Sequence, residues 1–173
     1  PRLCSWAKFE TTDGGDSFFF FNVHFDHRGE RARIESAQLA LEKIDDIVRG
    51  RPVILAGDFN ANQSSKTYRA LVGAEFLSDA FESAPLRYAL NGTANNFDPD
   101  AQTDSRIDHV LVSDHFKVIR YGILTDSYRT PLQDDSEGER SVNFPEEVRL
   151  KNYRARLPSD HFPVLVEVEL DSD

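Results

Sequence analysis

Four short groups of acids, amides and histidines are the part of this sequence best suited to chemistry. In chain order they are Asn22-Val23-His24, Gly57-Asp58-Phe59-Asn60, Arg106-Ile107-Asp108-His109 and Ser159-Asp160-His161. Each group lies at or beside the end of a strongly apolar run, where a strand could hold its side chains toward one shared cleft. Carboxylates and imidazoles gathered in this way suit metal-assisted attack of water on a phosphate ester.

The second group offers an acid and an amide two residues apart, just past an apolar run. If the backbone stays extended, this spacing sends the side chains of Asp58 and Asn60 to the same side. Asp58 could then orient or deprotonate a water, while the Asn60 amide donates to a phosphoryl oxygen. The alternative is an Asx-type turn, in which these side chains bond their own backbone.

The first group repeats the two-residue spacing in Asn22, His24 and Asp26. His24 follows a run of four phenylalanines, so it is either a donor to phosphate or a histidine buried in the core. His27 and Arg28 come next and could extend a substrate pocket, although Arg28 could equally be a surface charge at the start of a helix.

The last two groups suggest a histidine and the acid that orients it. Asp160 and His161 precede Pro163 on a bend, and an imidazole can donate to a phosphoryl oxygen or transfer a proton. Such a histidine needs a partner on its other ring nitrogen, and Asp108 is our candidate. The alternative for Asp108 is a salt bridge to Arg106.

Apolar patterning predicts the elements that must position these groups. Residues 17–25 form a strand, and residues 30–49 form an amphipathic helix that stops at Gly50. A buried strand is predicted at 52–56, a short helix at 66–73, and strands at 107–113, 117–124 and 164–170. This order predicts an α/β fold with mixed sheets.

Length and composition indicate one globular domain over residues 1–173. Residues 84–105 and a charged loop at 126–158 lack periodicity, and long loops of this kind are often functional. With 30 acids against 20 Lys and Arg, the net charge is −10, which disfavours extended nucleic acids as partners. No apolar run is long enough to span a membrane, and the single cysteine, Cys4, points to no compartment, so localisation stays open.

Taken together and in order, the motifs resemble the C-terminal part of the endonuclease/exonuclease/phosphatase superfamily, the deoxyribonuclease I-like enzymes. The matching stretches begin at Phe21, Ile54, Arg106 and Ser159 and read FNVHFDH, ILAGDFN, RIDHVLV and SDHFPV. The resemblance implies a four-layer α/β/β/α sandwich of two mixed sheets, with the N-terminal portion absent from this chain. It also implies Mg²⁺ or Mn²⁺ as cofactor.

The resemblance further implies roles for individual residues. Asp58 would position the attacking water, Asn60 and His24 would hold the phosphate, His161 would stabilise the pentacovalent state, and Asp108 would orient His161. Asp160 would act near the metal, as a ligand, or beside the imidazole. Substrate contacts are expected from Asn22, Asp26, His27, Arg28, Arg106 and Phe97.

The glutamate strand that supplies the family's principal metal ligand has no counterpart in this chain, which also lacks methionine. We therefore expect a piece of a longer polypeptide, partnered by the N-terminal half of the same domain and monomeric as a whole. The leading prediction is a metal-dependent phosphoesterase acting on a phosphorylated small molecule, a lipid headgroup or a short nucleic acid. The alternative is an inactive fragment, or a binding or assembly fragment, that needs a complementary N-terminal half.

Overall fold

The computed structural model describes residues 2–12, 14–131 and 153–171. Within these ranges the chain forms ten strands and three helices. In chain order they are β1 (Cys4–Glu10), β2 (Ser17–His24), α1 (Glu30–Val48), β3 (Val53–Asp58), α2 (Lys66–Val72), β4 (Ser78–Asp79), α3 (Ala80–Ser83), β5 (Leu86–Tyr88), β6 (Asp108–Val112), β7 (Phe116–Ile123), β8 (Tyr128–Pro131), β9 (Tyr153–Arg156) and β10 (Val164–Leu170).

The strands form two mixed sheets and a separate two-stranded pair. The larger sheet has the order β1-β2-β3-β6-β4, in which β2 and β3 are parallel and the other neighbours are antiparallel. The smaller sheet has the order β10-β7-β5, with β5 parallel to β7. β8 pairs with β9. The predicted α/β class with two mixed sheets is confirmed.

The larger sheet is covered on both faces by apolar side chains. On one face Phe21 and Leu55 pack in a buried cluster with Ile44 of α1. On the other face Val112 belongs to a second cluster with Tyr121 of the smaller sheet. These two cores give the helix, sheet and sheet layers of the predicted sandwich.

The long helix α1 follows the predicted periodicity and ends one residue early. The chain leaves it through two left-handed residues, Arg49 at φ 51° and Gly50 at φ 74°. A glycine adopts this conformation without strain, which is why it favours helix ends. Across the described ranges, no helix is long and apolar enough to cross a membrane.

Five of the described strands lie where the sequence predicted none or predicted loop: β1, β4, β5, β8 and β9. β1 is an edge strand whose seven residues are all exposed, so it lacks the buried stripe from which strands are recognised. The segment 126–158 is not all loop, because it contains β8 and β9. Most of its predicted charged surface, residues 132–152, lies outside the described residues.

Strand register places the predicted chemical groups in one row. In the parallel β2–β3 pair His24 lies opposite Asp58, and in the antiparallel β3–β6 pair Asp58 lies opposite Asp108. Residues paired in register project from the same face of a sheet. Three adjacent strand ends therefore present an imidazole and two carboxylates side by side.

Gly57, just before Asp58, allows β2 and β3 to approach this closely. Its φ is 137°, and an added Cβ would lie 2.9 Å from the Val23 carbonyl carbon and nearer still to its oxygen. We expect Gly57→Ala to lower the free energy of unfolding by at least about 3 kcal/mol, from overpacking plus backbone strain. Urea denaturation of the full-length protein measures this loss.

Gly50→Ala is the matched control, because Gly50 also has positive φ but nothing lies within 4 Å of an added Cβ. We expect it to cost about 1–2 kcal/mol from the left-handed conformation alone. Equal losses in the two variants would show that the contact with Val23 is unimportant.

Candidate active site

The row of strand ends is linked by short contacts between side chains. His24 Nε2 lies 3.3 Å from Asp58 Oδ2. The His24 side chain is 58% exposed, so it belongs to the cleft and not to the core. The phenylalanines before it alternate between faces, and His24 continues the face of Phe18 and Phe20, which packs against the second core and becomes exposed only at the end of the strand.

His161 reaches the row from a different part of the chain and contacts Asp108. Its Nδ1 lies 2.8 Å from Asp108 Oδ2, so the structure brings these two side chains together. With Nδ1–H donating to Asp108, the other ring nitrogen is left to face a substrate. The alternative pairing is wrong, because the Arg106 guanidinium lies 3.0 Å from Asp79 instead.

Thr93 joins the segments that carry Asp108 and His161. Its hydroxyl oxygen accepts the backbone N–H groups of Ile107 at 2.9 Å and Asp108 at 3.1 Å. Its carbonyl oxygen accepts the N–H of Phe162 at 2.7 Å. Thr93 is fully buried, and it therefore fixes the distance between the acid and the histidine.

Asp58 and Asn60 meet through a turn and not through an extended strand. Asn60 has φ 48°, and Asp58 Oδ1 accepts its backbone N–H at 2.7 Å. The expectation of an extended backbone is thus wrong, and the Asx-type turn is formed. The Asn60 amide still reaches Asp58 Oδ2 at 3.0 Å and donates to the Phe25 carbonyl at 3.1 Å, so it holds the carboxylate in place.

The surroundings shift the pKa values of both central groups upward. Burial raises the pKa of Asp58, the bond from the Asn60 N–H lowers it, and the neighbouring Asp108 raises it again. For His161, burial lowers the pKa, but the charge and hydrogen bond of Asp108 together raise it above its usual value. The cleft thus favours a carboxylate able to accept a proton beside an imidazolium able to donate one.

An open cavity of about 330 Å³ lies against Asp108 and His161. Its lining also includes Gly57 and Ser159. The volume is within the range of small-molecule sites. Substrate can therefore approach Asp108 and His161 from the same side.

Asp58, Asp108 and His161 also form a group that could hold a metal ion. One ligand atom from each lies within 4.8 Å of the others. Two carboxylates and an imidazole suit Mg²⁺ or Mn²⁺. Asp160, the expected ligand, is outside this group, and its carbonyl oxygen accepts the N–H groups of Asn95 and Asn96 at 2.7 and 3.0 Å.

The predicted substrate contacts around β2 differ in their surroundings. Asn22 and His27 are exposed near the row, while Asp26 Oδ1 accepts the backbone N–H groups of Arg28 and Gly29 at 2.8 and 2.6 Å. These two hydrogen bonds lower the pKa of the Asp26 carboxyl group, and the bond from the Gly29 N–H has the larger effect.

Of two further predicted substrate contacts, Phe97 is exposed and Arg106 is buried. Phe97 is 60% exposed on a loop anchored to Asp160 through Asn95 and Asn96. The Arg106 side chain is only 5% exposed and lies over the Phe81 ring at 3.7 Å. The structure therefore places the Arg106 guanidinium in the interior, against Asp79 and Phe81, and not among the exposed side chains of the strand ends.

Two residues at the site were not predicted from the sequence. Thr93 gave no signal, because a threonine in an aperiodic segment has no distinctive neighbours. Arg2 contacts both His24 and His27, and its pairing is visible only once β1 and β2 are aligned. His109, which looks structural from the sequence, is buried and bonded to the Ala61 carbonyl at 3.0 Å.

Comparison with known proteins adds family membership to this geometry. Residues 3–161 match the profile of the Endonuclease/Exonuclease/phosphatase family. No curated protein matches the chain.

Solved structures give close matches. A family protein from Bacteroides thetaiotaomicron is 48% identical with a TM-score of 0.87, covering 100% of this chain and 58% of that one. The mannosyl-6-phosphatase of Bacteroides thetaiotaomicron VPI-5482 is 48% identical with a TM-score of 0.85, covering 98% and 58%. A family protein from Bacteroides vulgatus is 30% identical with a TM-score of 0.75, covering 98% and 56%.

The present chain thus spans 58% of the length of the two relatives that share 48% identity with it. The resemblance predicted from the four motifs is confirmed by a match over nearly the whole sequence. The chain belongs to the endonuclease/exonuclease/phosphatase family.

Proposed function

We propose that the protein is a divalent-metal-dependent phosphoesterase that hydrolyses a phosphate ester with an activated water. The observation that carries this proposal is the contact of two carboxylates, Asp58 and Asp108, with two imidazoles, His24 and His161. Family membership supports the same class of reaction.

In the proposed mechanism Asp58 orients the attacking water and accepts its proton. Asn60 holds the Asp58 carboxylate through two bonds, which limits the reorganisation needed during attack. His161, oriented by Asp108, donates to a phosphoryl oxygen as its charge develops. In the row of strand ends, Asp58 lies between His24 and Asp108. His24 therefore contacts the phosphate on the side of Asp58 that faces away from Asp108.

A divalent cation held by the carboxylates of Asp58 and Asp108 would stabilise the negative charge of the phosphoryl oxygens. Their hard oxygen atoms fit Mg²⁺ or Mn²⁺. His161 would not ligate this cation in the proposed mechanism, because both of its ring nitrogens then carry protons.

Mannose 6-phosphate is the first substrate to test, because a structure 48% identical to this chain is called a mannosyl-6-phosphatase. The net charge of −10 favours a small phosphorylated molecule, a lipid headgroup or a short nucleic acid over long duplexes.

Phosphate release by the full-length protein tests the proposal. We expect hydrolysis of mannose 6-phosphate or another small phosphate ester with Mg²⁺ or Mn²⁺. Removal of the cation by EDTA should lower the rate by at least about 10²-fold, and restoring it should recover the rate. A full rate in EDTA would contradict metal dependence.

The second candidate is a module that acts only when joined to a complementary N-terminal segment. It is favoured by the share of the relatives' length that the chain spans and by large apolar side chains exposed on two edge strands, Trp6 at 51% on β1 and Leu165 at 53% on β10. Such edges tend to pair with another chain or segment.

Circular dichroism and thermal melting of the isolated 173-residue chain separate the candidates. If the chain is a module that acts only when joined to an N-terminal segment, the isolated chain should show no cooperative unfolding and no hydrolysis. Cooperative unfolding together with metal-dependent hydrolysis by the chain alone would eliminate it.

A further inference from the structure

Arg2 forms a cluster with two histidines at the mouth of the proposed site. Its Nη1 lies 2.8 Å from His24 Nε2, and its Nη2 lies 2.5 Å from His27 Nδ1. The antiparallel pairing of β1 with β2, in which Cys4 lies opposite Val23, brings Arg2 to this position from a distant part of the sequence.

The guanidinium of Arg2 is held in a fixed orientation. Besides the two imidazoles, its Nε lies 3.8 Å from Asp26 Oδ2. Asp26 is itself tied to the backbone N–H groups of Arg28 and Gly29. A ligand that bound this guanidinium would therefore cause little further loss of side-chain entropy.

One of the two contacts of His24 Nε2 is left without a hydrogen bond in either protonation form of this nitrogen. Its Nε2 faces a donor, Arg2 Nη1 at 2.8 Å, and an acceptor, Asp58 Oδ2 at 3.3 Å. A single ring nitrogen either accepts from Arg2 or donates to Asp58, since it cannot do both at once. An anionic oxygen placed beside Arg2 would accept its N–H in either state.

The charges around the cleft also favour a cationic side chain for the phosphate. The proposed divalent cation balances Asp58 and Asp108, so further charge on an incoming phosphate must be met by other groups, and their contribution grows with that charge. Arg2 and Asp58 contact the same nitrogen atom of His24, so the guanidinium lies at the edge of the acid pair. A phosphomonoester carries about −1.5 to −2 charges at pH 7, whereas a phosphodiester carries a single one.

We propose that Arg2 binds a non-bridging oxygen of the substrate's phosphoryl group and selects dianionic phosphomonoesters over phosphodiesters. The proposal rests on the proposed function for the reaction itself. It adds a binding residue and a substrate class, and both follow from the contacts of one guanidinium.

The test compares p-nitrophenyl phosphate with bis(p-nitrophenyl) phosphate, which share a leaving group and differ in charge. In the full-length protein we expect Arg2→Gln to lower kcat/KM for the monoester by at least about 30-fold, as for loss of a charge-assisted hydrogen bond, and for the diester by less than about 3-fold. Arg2→Lys keeps the charge and should fall between wild type and Arg2→Gln for the monoester. Arg31→Gln, which removes an exposed arginine paired with Glu35, should change neither rate.

Equal losses for both esters would overturn the proposal, because they would assign Arg2 a structural role. Unchanged rates would overturn it as well. Melting temperatures confirm that each variant is folded, and Arg2→Lys keeps the comparison valid if Arg2→Gln is not.

Binding of inorganic phosphate, measured by calorimetry, separates this proposal from the proposed reaction. We expect Arg2→Gln to weaken phosphate binding by at least about 10-fold. If wild type binds phosphate through Arg2 but hydrolyses neither ester, the proposed function fails while the binding role stands. If phosphate binds wild type and Arg2→Gln equally, or binds neither, the binding role fails.

Discussion

Replacing Asp58 with asparagine is expected to lower kcat by at least about 10²-fold, as for loss of a general base. The carboxylate is the group placed to accept a proton from water, and burial raises its pKa toward the range useful for that task. Asparagine keeps an oxygen that can accept the Asn60 N–H, so the turn should survive. The measurement is the steady-state rate of phosphate release by the full-length protein.

Asp46→Asn is the matched control for this change. Asp46 is an exposed acid on α1, 3.3 Å from Lys43, and its removal should leave kcat within about 2-fold of wild type. A variant Asp58→Asn that melts like wild type and keeps its rate would remove Asp58 from the proposed chemistry.

Replacing Asp108 with asparagine is expected to lower kcat by at least about 10²-fold and to move the basic limb of the pH profile to lower pH. Asp108 raises the pKa of His161 through its charge and hydrogen bond. If the protonated imidazole is the active form, activity falls as the pH rises through this pKa. Loss of the Asp108 charge lowers the pKa, and the decline then begins at a lower pH.

A second acid–histidine pair provides the control for this pH shift. Asp114 lies 3.1 Å from His115 on the surface, so Asp114→Asn changes the same kinds of group away from the cleft. We expect it to leave both kcat and the basic limb in place. A basic limb that stays fixed in Asp108→Asn would mean that His161 is not the group that titrates there.

The sequence predicted the row of strand ends because the relevant signals are local. An apolar run followed by an acid or histidine marks where a strand leaves the core, and alternation within the run assigns the facing side. His24 and Asp58 follow this rule, Asp108 stands instead at the start of the apolar strand β6, and the observed register brings the three together. The pairing of His161 with Asp108 was also predictable, since a catalytic imidazole requires an acceptor for its second nitrogen.

The remaining features depend on contacts that sequence spacing does not encode. Asn60 takes a positive φ because Asp58 captures its N–H, and an extended strand and an Asx turn are both compatible with the same letters. Thr93 joins two segments that are far apart in the sequence. Arg106 follows a predicted loop yet is buried, because it pairs with the buried carboxylate of Asp79 at 3.0 Å and lies over the Phe81 ring.

Edge strands were hard to predict for a related reason. β1 has no buried residue, so it shows neither of the patterns by which burial marks a strand. Its position could be inferred only from its partner β2, and with it came the approach of Arg2 to the two histidines.

Hydrolysis in water enriched in oxygen-18 tests the central claim most directly, with mannose 6-phosphate and the full-length protein. If Asp58 directs water to phosphorus, one labelled oxygen atom enters each released phosphate, and the Asp58→Asn variant loses this labelled product in proportion to its rate. Label in the C6 hydroxyl group of the released mannose would mark cleavage of the carbon–oxygen bond and would contradict the account. Unchanged labelling rates in Asp58→Asn would contradict it equally.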